Sequence, residues 1–203
     1  MGGHNFFVTI TFLFGEKYGM MIKVNTGDLL ISEPFMHDKY FKRSVVLLSE
    51  QNKNNALGFI LNKPTDLMVN EAISEFPEFD APLFFGGPVE TDMLFYLHTL
   101  GRSLKGSKKI ADGIYWGGNF DILKMMIDDR KVMKNDIRFF AGYSGWDSDQ
   151  LTNEIEQKSW LVSKSSPQFT FNNNYETLWN QVLKSMGNEF SMISNFPEDP
   201  SLN

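Results

Sequence analysis

Apolar residues in this sequence come in short runs, too brief for helices and each closed by polar or glycine-bearing stretches. GDLLIS (Gly27–Ser32), SVVLLS (Ser44–Ser49) and ALGFIL (Ala56–Leu61) are the first three. Runs of this length bounded by turn residues are the signature of buried strands. The polar EQNKNN between the second and third makes that pair a hairpin. PLFFGGP, MLFYLHTL (Met93–Leu100), GIYW, DIRFFAGYSGW and WLVS read as further strands. Phe alone occurs 19 times, an aromatic wealth that suits a sheet core better than a helical bundle.

Helical periodicity interrupts the strands at fewer places. NKPTDLMVNEAI carries Thr65 and Asp66 as N-cap candidates after Pro64, which predicts a short helix. NFDILKMMIDDR predicts another, opened by Asn119. Asp147 and Gln150 have capping-box spacing, with Leu151 and Ile155 on one face behind them. Tyr175, Leu178, Trp179, Val182, Leu183 and Met186 form a wide apolar face that ends at Gly187. Strands and helices without regular βαβ spacing predict an α+β fold.

With 203 residues, the chain suffices for one domain, expected over 21–190. Residues 191–203 read as a loose tail, and 1–20 as a lead preceding the patterned domain. The lead holds an apolar run, Phe6 to Phe14, too short to span a bilayer as a helix and without the basic start of a secretory signal. Met20 or Met21 is the expected natural start. No membrane association is expected.

The formal charge is −6, from 19 basic and 25 acidic residues, a field that opposes tight binding to duplex DNA. No recognisable helix-turn-helix is present either. The one basic cluster, Arg102, Lys105, Lys108 and Lys109 in a Gly/Ser-rich loop, offers a contact for RNA or an acidic partner, or is a solvated loop. Absence of cysteine removes disulfides, thiol catalysis and thiolate zinc sites, and fits the cytosol.

Few residues invite catalysis. Ser144 lies in AGYSGWDSDQL, and Gly142 matches the G-x-S-x-G elbow, but Trp146 stands where the second glycine belongs. A turn serine bonded to local backbone is the favoured reading, with Trp146 as a buried anchor and Asp147 as a helix cap. His37, Asp38 and His98 are the remaining set, without metal-ligand spacing. His98, in an apolar stretch, is expected to be satisfied by backbone. Gly86-Gly87-Pro88 reads as a tight bend, since proline has no N–H to offer an anion. Gly117-Gly118 reads as a strand-to-helix turn, with anion binding as the alternative. Neither G-x-G-x-x-G nor a P-loop occurs, so no cofactor and no metal is expected.

Taken in order, GDLLISEP, FKRSVVLLSE, ALGFILNKP, FFGGPVE, LFYLH and GYSGWDSDQL…EI…SW resemble the motifs of the AlgH/YqgE family of bacterial proteins, over about Gly27 to Trp160. Gln51 stands where that family usually has histidine, and Asp149 where it usually has glycine. The resemblance implies coiled, mixed or mainly antiparallel sheets, partly barrel-like, with flanking helices, in a cytoplasmic protein. It supplies no reaction. One branch is named as a transcriptional regulator, a label that does not specify contact with DNA. The expectation is a non-enzymatic binding or regulatory protein with a protein or ribonucleoprotein partner. Arg43, Asn62, Pro64, Gly86, Gly87, Pro88, His98, Tyr143, Trp146, Gln150 and Trp160 are the candidates for lining its groove. The alternatives are a hydrolase using Ser144 or the His37, Asp38 and His98 set, and an RNA-associated factor.

Overall fold

The computed structural model describes residues 23–147 and 149–197. The N-terminal lead therefore lies outside the described residues. Among the described residues ten strands appear: β1 (Asp28–Ser32), β2 (Val45–Gln51), β3 (Asn55–Ile60), β4 (Pro64–Met68), β5 (Pro82–Phe85), β6 (Val89–His98), β7 (Lys108–Ala111), β8 (Ile114–Trp116), β9 (Ile137–Asp147) and β10 (Trp160–Lys164). Six α-helices accompany them among the described residues: α1 (Val69–Ala72), α2 (Phe120–Asp128), α3 (Gln150–Glu156), α4 (Pro167–Thr170), α5 (Leu178–Ser185) and α6 (Asn188–Ile193). The strands form one curled sheet, a half-barrel in the order β10-β1-β2-β3-β9-β6-β8-β7, with β5 on β9 and β4 on β5. Every pairing is antiparallel except β5 with β9. The fold is α+β.

The continuous apolar runs follow from burial on both faces. Leu29, Ile31, Val45, Leu47, Phe59 and Phe140 point into one core, which Leu178, Trp179, Val182 and Leu183 of α5 help to fill. Leu30, Val46, Leu48 and Ile60 point the other way, under Leu151 and Ile155 of α3. Further along that second face, Phe139, Leu83 and Ile137 pack against Leu123 and Ile127 of α2. Asn119 caps α2, its Oδ1 accepting the Ile122 N–H at 2.9 Å.

Three expectations change. The short helix expected in NKPTDLMVNEAI forms only from Val69, as α1, and Pro64 to Met68 before it is a strand; the Thr65 hydroxyl, placed as a cap, donates instead to Leu83 O on β5 at 2.8 Å. AGYSGWD does not turn at its glycines: β9 runs unbroken to Asp147, because β3 pairs with it from Ser144 to Asp147. At its end α3 begins after Asp149, whose side chain makes no capping bond; Gln150 Oε1 does reach back to the Asp147 N–H at 3.3 Å. At the C-terminus, α6 runs through position 190/191, burying Ile193, and Phe196 stacks on Phe35 with ring centroids 5.8 Å apart.

One crossing organises the middle of the chain. β5 and β6 both pair with the stretch Phe139–Ala141 of β9, so they occupy its two opposite edges. Gly86, Gly87 and Pro88 must carry the chain from one edge to the other, over the backbone of β9. The contact is backbone on backbone: a Cβ on Gly86 would stand 2.1 Å from Gly142 O, and one on Gly87 2.3 Å from Tyr143 O. Gly142, with φ +70, yields in return, its own missing Cβ leaving room for Val89 O. The bond from Gly86 N–H to Ala141 O (2.9 Å) and the bond from Ile60 N–H to Gly86 O (3.0 Å) fix the crossing on the β3 side. Substituting Gly86 by Ala should cost about 3 kcal/mol or more, since the obstacle is a carbonyl and not a movable side chain. Urea denaturation measures it; a loss below about 1 kcal/mol would show that the strands separate freely at this point.

Candidate functional site

Ser144 belongs to the crossing. It is fully buried, and its hydroxyl donates to Gly86 O at 3.0 Å, 58 residues away in sequence. It is therefore a strand serine bonded across the fold, neither an exposed nucleophile nor a turn serine bonded locally. Gly87 and Pro88 complete the same feature, and Tyr143 flanks it, paired with Val89 and edge-on to Phe95 at 5.6 Å.

Trp146, Gln150 and Trp160 form a second group around a residue that spacing did not single out. The Glu154 carboxylate accepts both indole N–H groups, Trp146 at 2.9 Å and Trp160 at 2.7 Å, and the Gln150 amide at 2.8 Å. Strand, helix and next strand are thus tied to one side chain, with Phe41 packed on both indoles. Trp146 and Trp160 are 3 % and 2 % exposed, so this aromatic cluster is closed. Arg43 and Asn62 form a third group. Asn62 accepts the Val45 N–H and donates to Arg43 O, both at 2.9 Å. The Arg43 guanidinium lies 4.6 Å over the Trp179 ring and donates to Phe196 O. Pro64 stands apart, exposed at the start of β4.

His98 is fully buried. Its Nε2 faces Gly117 O at 2.8 Å and its Nδ1 accepts the Leu100 N–H at 3.1 Å, which defines the neutral tautomer protonated on Nε2. Burial lowers its pKa, and the Gly117 carbonyl only partly offsets that. His37 and Asp38 are exposed, and Asp38 Oδ1 accepts the N–H groups of Tyr40 and Phe41. Among the described residues no group of three His, Cys, Asp or Glu could hold a metal ion. In the basic loop, Lys108 pairs with Glu50 at 2.7 Å and Lys109 with Asp112 at 3.1 Å, while Arg102 and Lys105 make no ion pair among the described residues.

Arg138 on β9 also escaped notice. Only 5 % exposed, it donates to the carbonyls of Leu61 and Asn172 and lies 4.4 Å over the Phe84 ring. Burial brings its pKa down to about 10, still charged at neutral pH. It fastens the C-terminal segment to the sheet.

The candidate residues thus fall into separate groups rather than one groove. An open cleft of about 370 Å³ lies elsewhere, where β8 leaves β6, lined by Met93–Tyr96, Trp116–Gly118 and Phe120. The Tyr96 hydroxyl is turned to Gly118 O at 2.7 Å, and burial pushes its pKa up to about 12. The cleft therefore offers aromatic and thioether surface together with backbone.

A curled antiparallel half-barrel with closed polar anchors and an apolar cleft is the class of protein these features define. The AlgH-like family profile matches residues 29–191, and the chain belongs to that family. A protein of Cytophaga hutchinsonii designated UPF0301 is 46% identical over 178 residues, 87% of this chain and 98% of its own. A UPF0301 protein of Bacteroides fragilis is 44% identical over 178 residues, 87% of this chain and 90% of its own. The solution structure of the AlgH protein from Pseudomonas aeruginosa superposes with a TM-score of 0.68 at 25% identity, covering 88% of this chain and 98% of that one. The crystal structure of a Corynebacterium diphtheriae protein gives 0.73 at 21% identity, over 87% and 95%, and shows the shared fold.

Replacing Glu154 by Ala strands two indole N–H groups and should cost about 2–4 kcal/mol. Glu154→Gln keeps an acceptor and should cost about 1 kcal/mol. Urea denaturation followed by tryptophan fluorescence separates the two; equal losses would mean that the acceptor role is unimportant.

Proposed function

We propose that this chain is a non-enzymatic binding protein of the bacterial cytoplasm, acting on gene expression indirectly through a protein or ribonucleoprotein partner. One observation carries the reading: the open cleft presents Met93, Phe95, Trp116 and Phe120, while Ser144 and His98 serve the scaffold elsewhere. Ser144 has no base within its bonds and no exposure, and His98 has both ring nitrogens engaged. The cleft is lined by apolar and aromatic side chains and glycine backbone, with no nucleophile–base pair among them, which suits binding. The charge of −6 argues against a direct grip on duplex DNA.

Two assays test this. A neutral solvatochromic dye such as Nile red should bind saturably, and Met93→Ser, which alters an exposed side chain, should weaken it roughly threefold or more. A fluorophosphonate probe should leave the protein unlabelled. Stoichiometric labelling that disappears in Ser144→Ala would make this an enzyme, and sub-micromolar binding to random duplex at physiological salt would make it a direct DNA-binding protein. Dye binding indifferent to Met93 would remove the cleft from the account.

A further inference from the structure

The cleft coincides with an unfinished edge of the sheet. On one side β6 pairs with β9 from Leu94 to His98. On the other, β8 pairs only with Leu97 and His98, and the bond from Gly117 N–H to Tyr96 O (3.0 Å) is the last rung. The chain then turns away through Gly117 and Gly118, with φ of +66 and +123, and enters α2. Backbone groups along a strand point alternately to its two edges. Since the Tyr96 carbonyl points at β8, Leu94, two residues earlier, presents its N–H and C=O to the same outer edge. Among the described residues no strand pairs with that edge between Val89 and Phe95.

The cleft's lining comes from both faces of the sheet. Phe95 and Trp116 border the inner core, whereas Leu94, Tyr96 and Phe120 belong to the outer one, and Met93 is 52% exposed. A strand laid in the gap would send alternate side chains to those two faces, and each would meet apolar surface.

Charge decides the occupant. Glu90 and Asp92 are exposed where β6 bulges between Val89 and Leu94, Glu90 with φ +49, and make no ion pair among the described residues. A second copy of this acidic chain, pairing along β6, would bring those carboxylates together, the usual device by which a sheet edge repels its own kind. Lys108, stationed 5.5 Å over the Trp116 ring, is already held by Glu50. We infer that the outer edge of β6 takes up an extended segment of a partner protein, apolar over about three residues and basic beside them, by strand addition. The inference rests on the binding reading above and names the partner's chemistry.

The probe is a blocked, fluorescent heptapeptide, Lys-Lys-Val-Phe-Val-Lys-Lys, which places lysine near Glu90 and Asp92 whichever way it runs. With the full chain it should bind saturably below about 1 mM in fluorescence anisotropy. Methylating the backbone nitrogens of its Val-Phe-Val centre, or exchanging its lysines for glutamates, should weaken binding roughly tenfold or more. The Glu90→Lys/Asp92→Lys double variant should do the same. Hydrogen exchange should show the Leu94 amide slowed by the peptide. No saturable binding, or equal binding of the methylated or the acidic peptide, overturns the inference. If Nile red still occupies the cleft while the peptide fails, strand addition is wrong and the binding reading stands; if both fail, both are wrong.

Discussion

The crossing of β9 by Gly86, Gly87 and Pro88 is the constraint from which the rest of this structure follows. A sheet strand normally has neighbours delivered from outside its edges. Here the chain leaves β5 on one edge, passes over the strand and starts β6 on the other. Only a backbone without side chains can pass at that distance, and a carbonyl left mid-crossing needs donors. Gly86 O has two, the Ile60 N–H and the Ser144 hydroxyl, each at 3.0 Å. The serine that invites a catalytic reading is thus explained by the acceptor it satisfies.

The same logic runs through the other anchors. Glu154 gathers Trp146, Gln150 and Trp160, so the helix between β9 and β10 is referenced to both strands. Arg138 and Arg43 reach carbonyls of the C-terminal segment and lie over Phe84 and Trp179. In each case a polar side chain takes up groups that burial would otherwise leave without partners, which costs 1–3 kcal/mol or more per group as a rough scale. The cleft lies downstream of the crossing: by placing β6 on the far edge of β9, it leaves that strand's outer side only partly covered by β8.

Local patterns made much of this fold readable. The β2–β3 hairpin follows from two apolar runs around a polar turn, and α2 from Asn119 and its periodic face. Pro64-Thr65-Asp66 misled because an exposed edge strand and a helix start use the same residues; the Leu83 carbonyl that claims Thr65 is 18 positions away. Glu154 was invisible as a hub because its indoles sit eight residues before and six after it, at no helical spacing. Arg138 stands in an aromatic strand, and sequence does not reveal that its charge is met by carbonyls. The cleft was least legible of all. Phe95, Trp116 and Phe120 look like ordinary core residues, and whether a strand edge is paired is decided by where a distant turn sends the chain.

Native-state hydrogen exchange resolved by residue tests the central claim most directly, because it reads the crossing and the open edge in one experiment. The amides of Ile60, Gly86 and Phe140 should exchange only through global unfolding, with the free energy obtained from denaturant melting, while the Leu94 amide on the outer edge of β6 exchanges rapidly. Fast exchange at Ile60 and Gly86 would show that the crossing opens locally and does not hold the sheet together. A Leu94 amide as protected as Phe140 in the isolated protein would show that the edge of β6 is already covered.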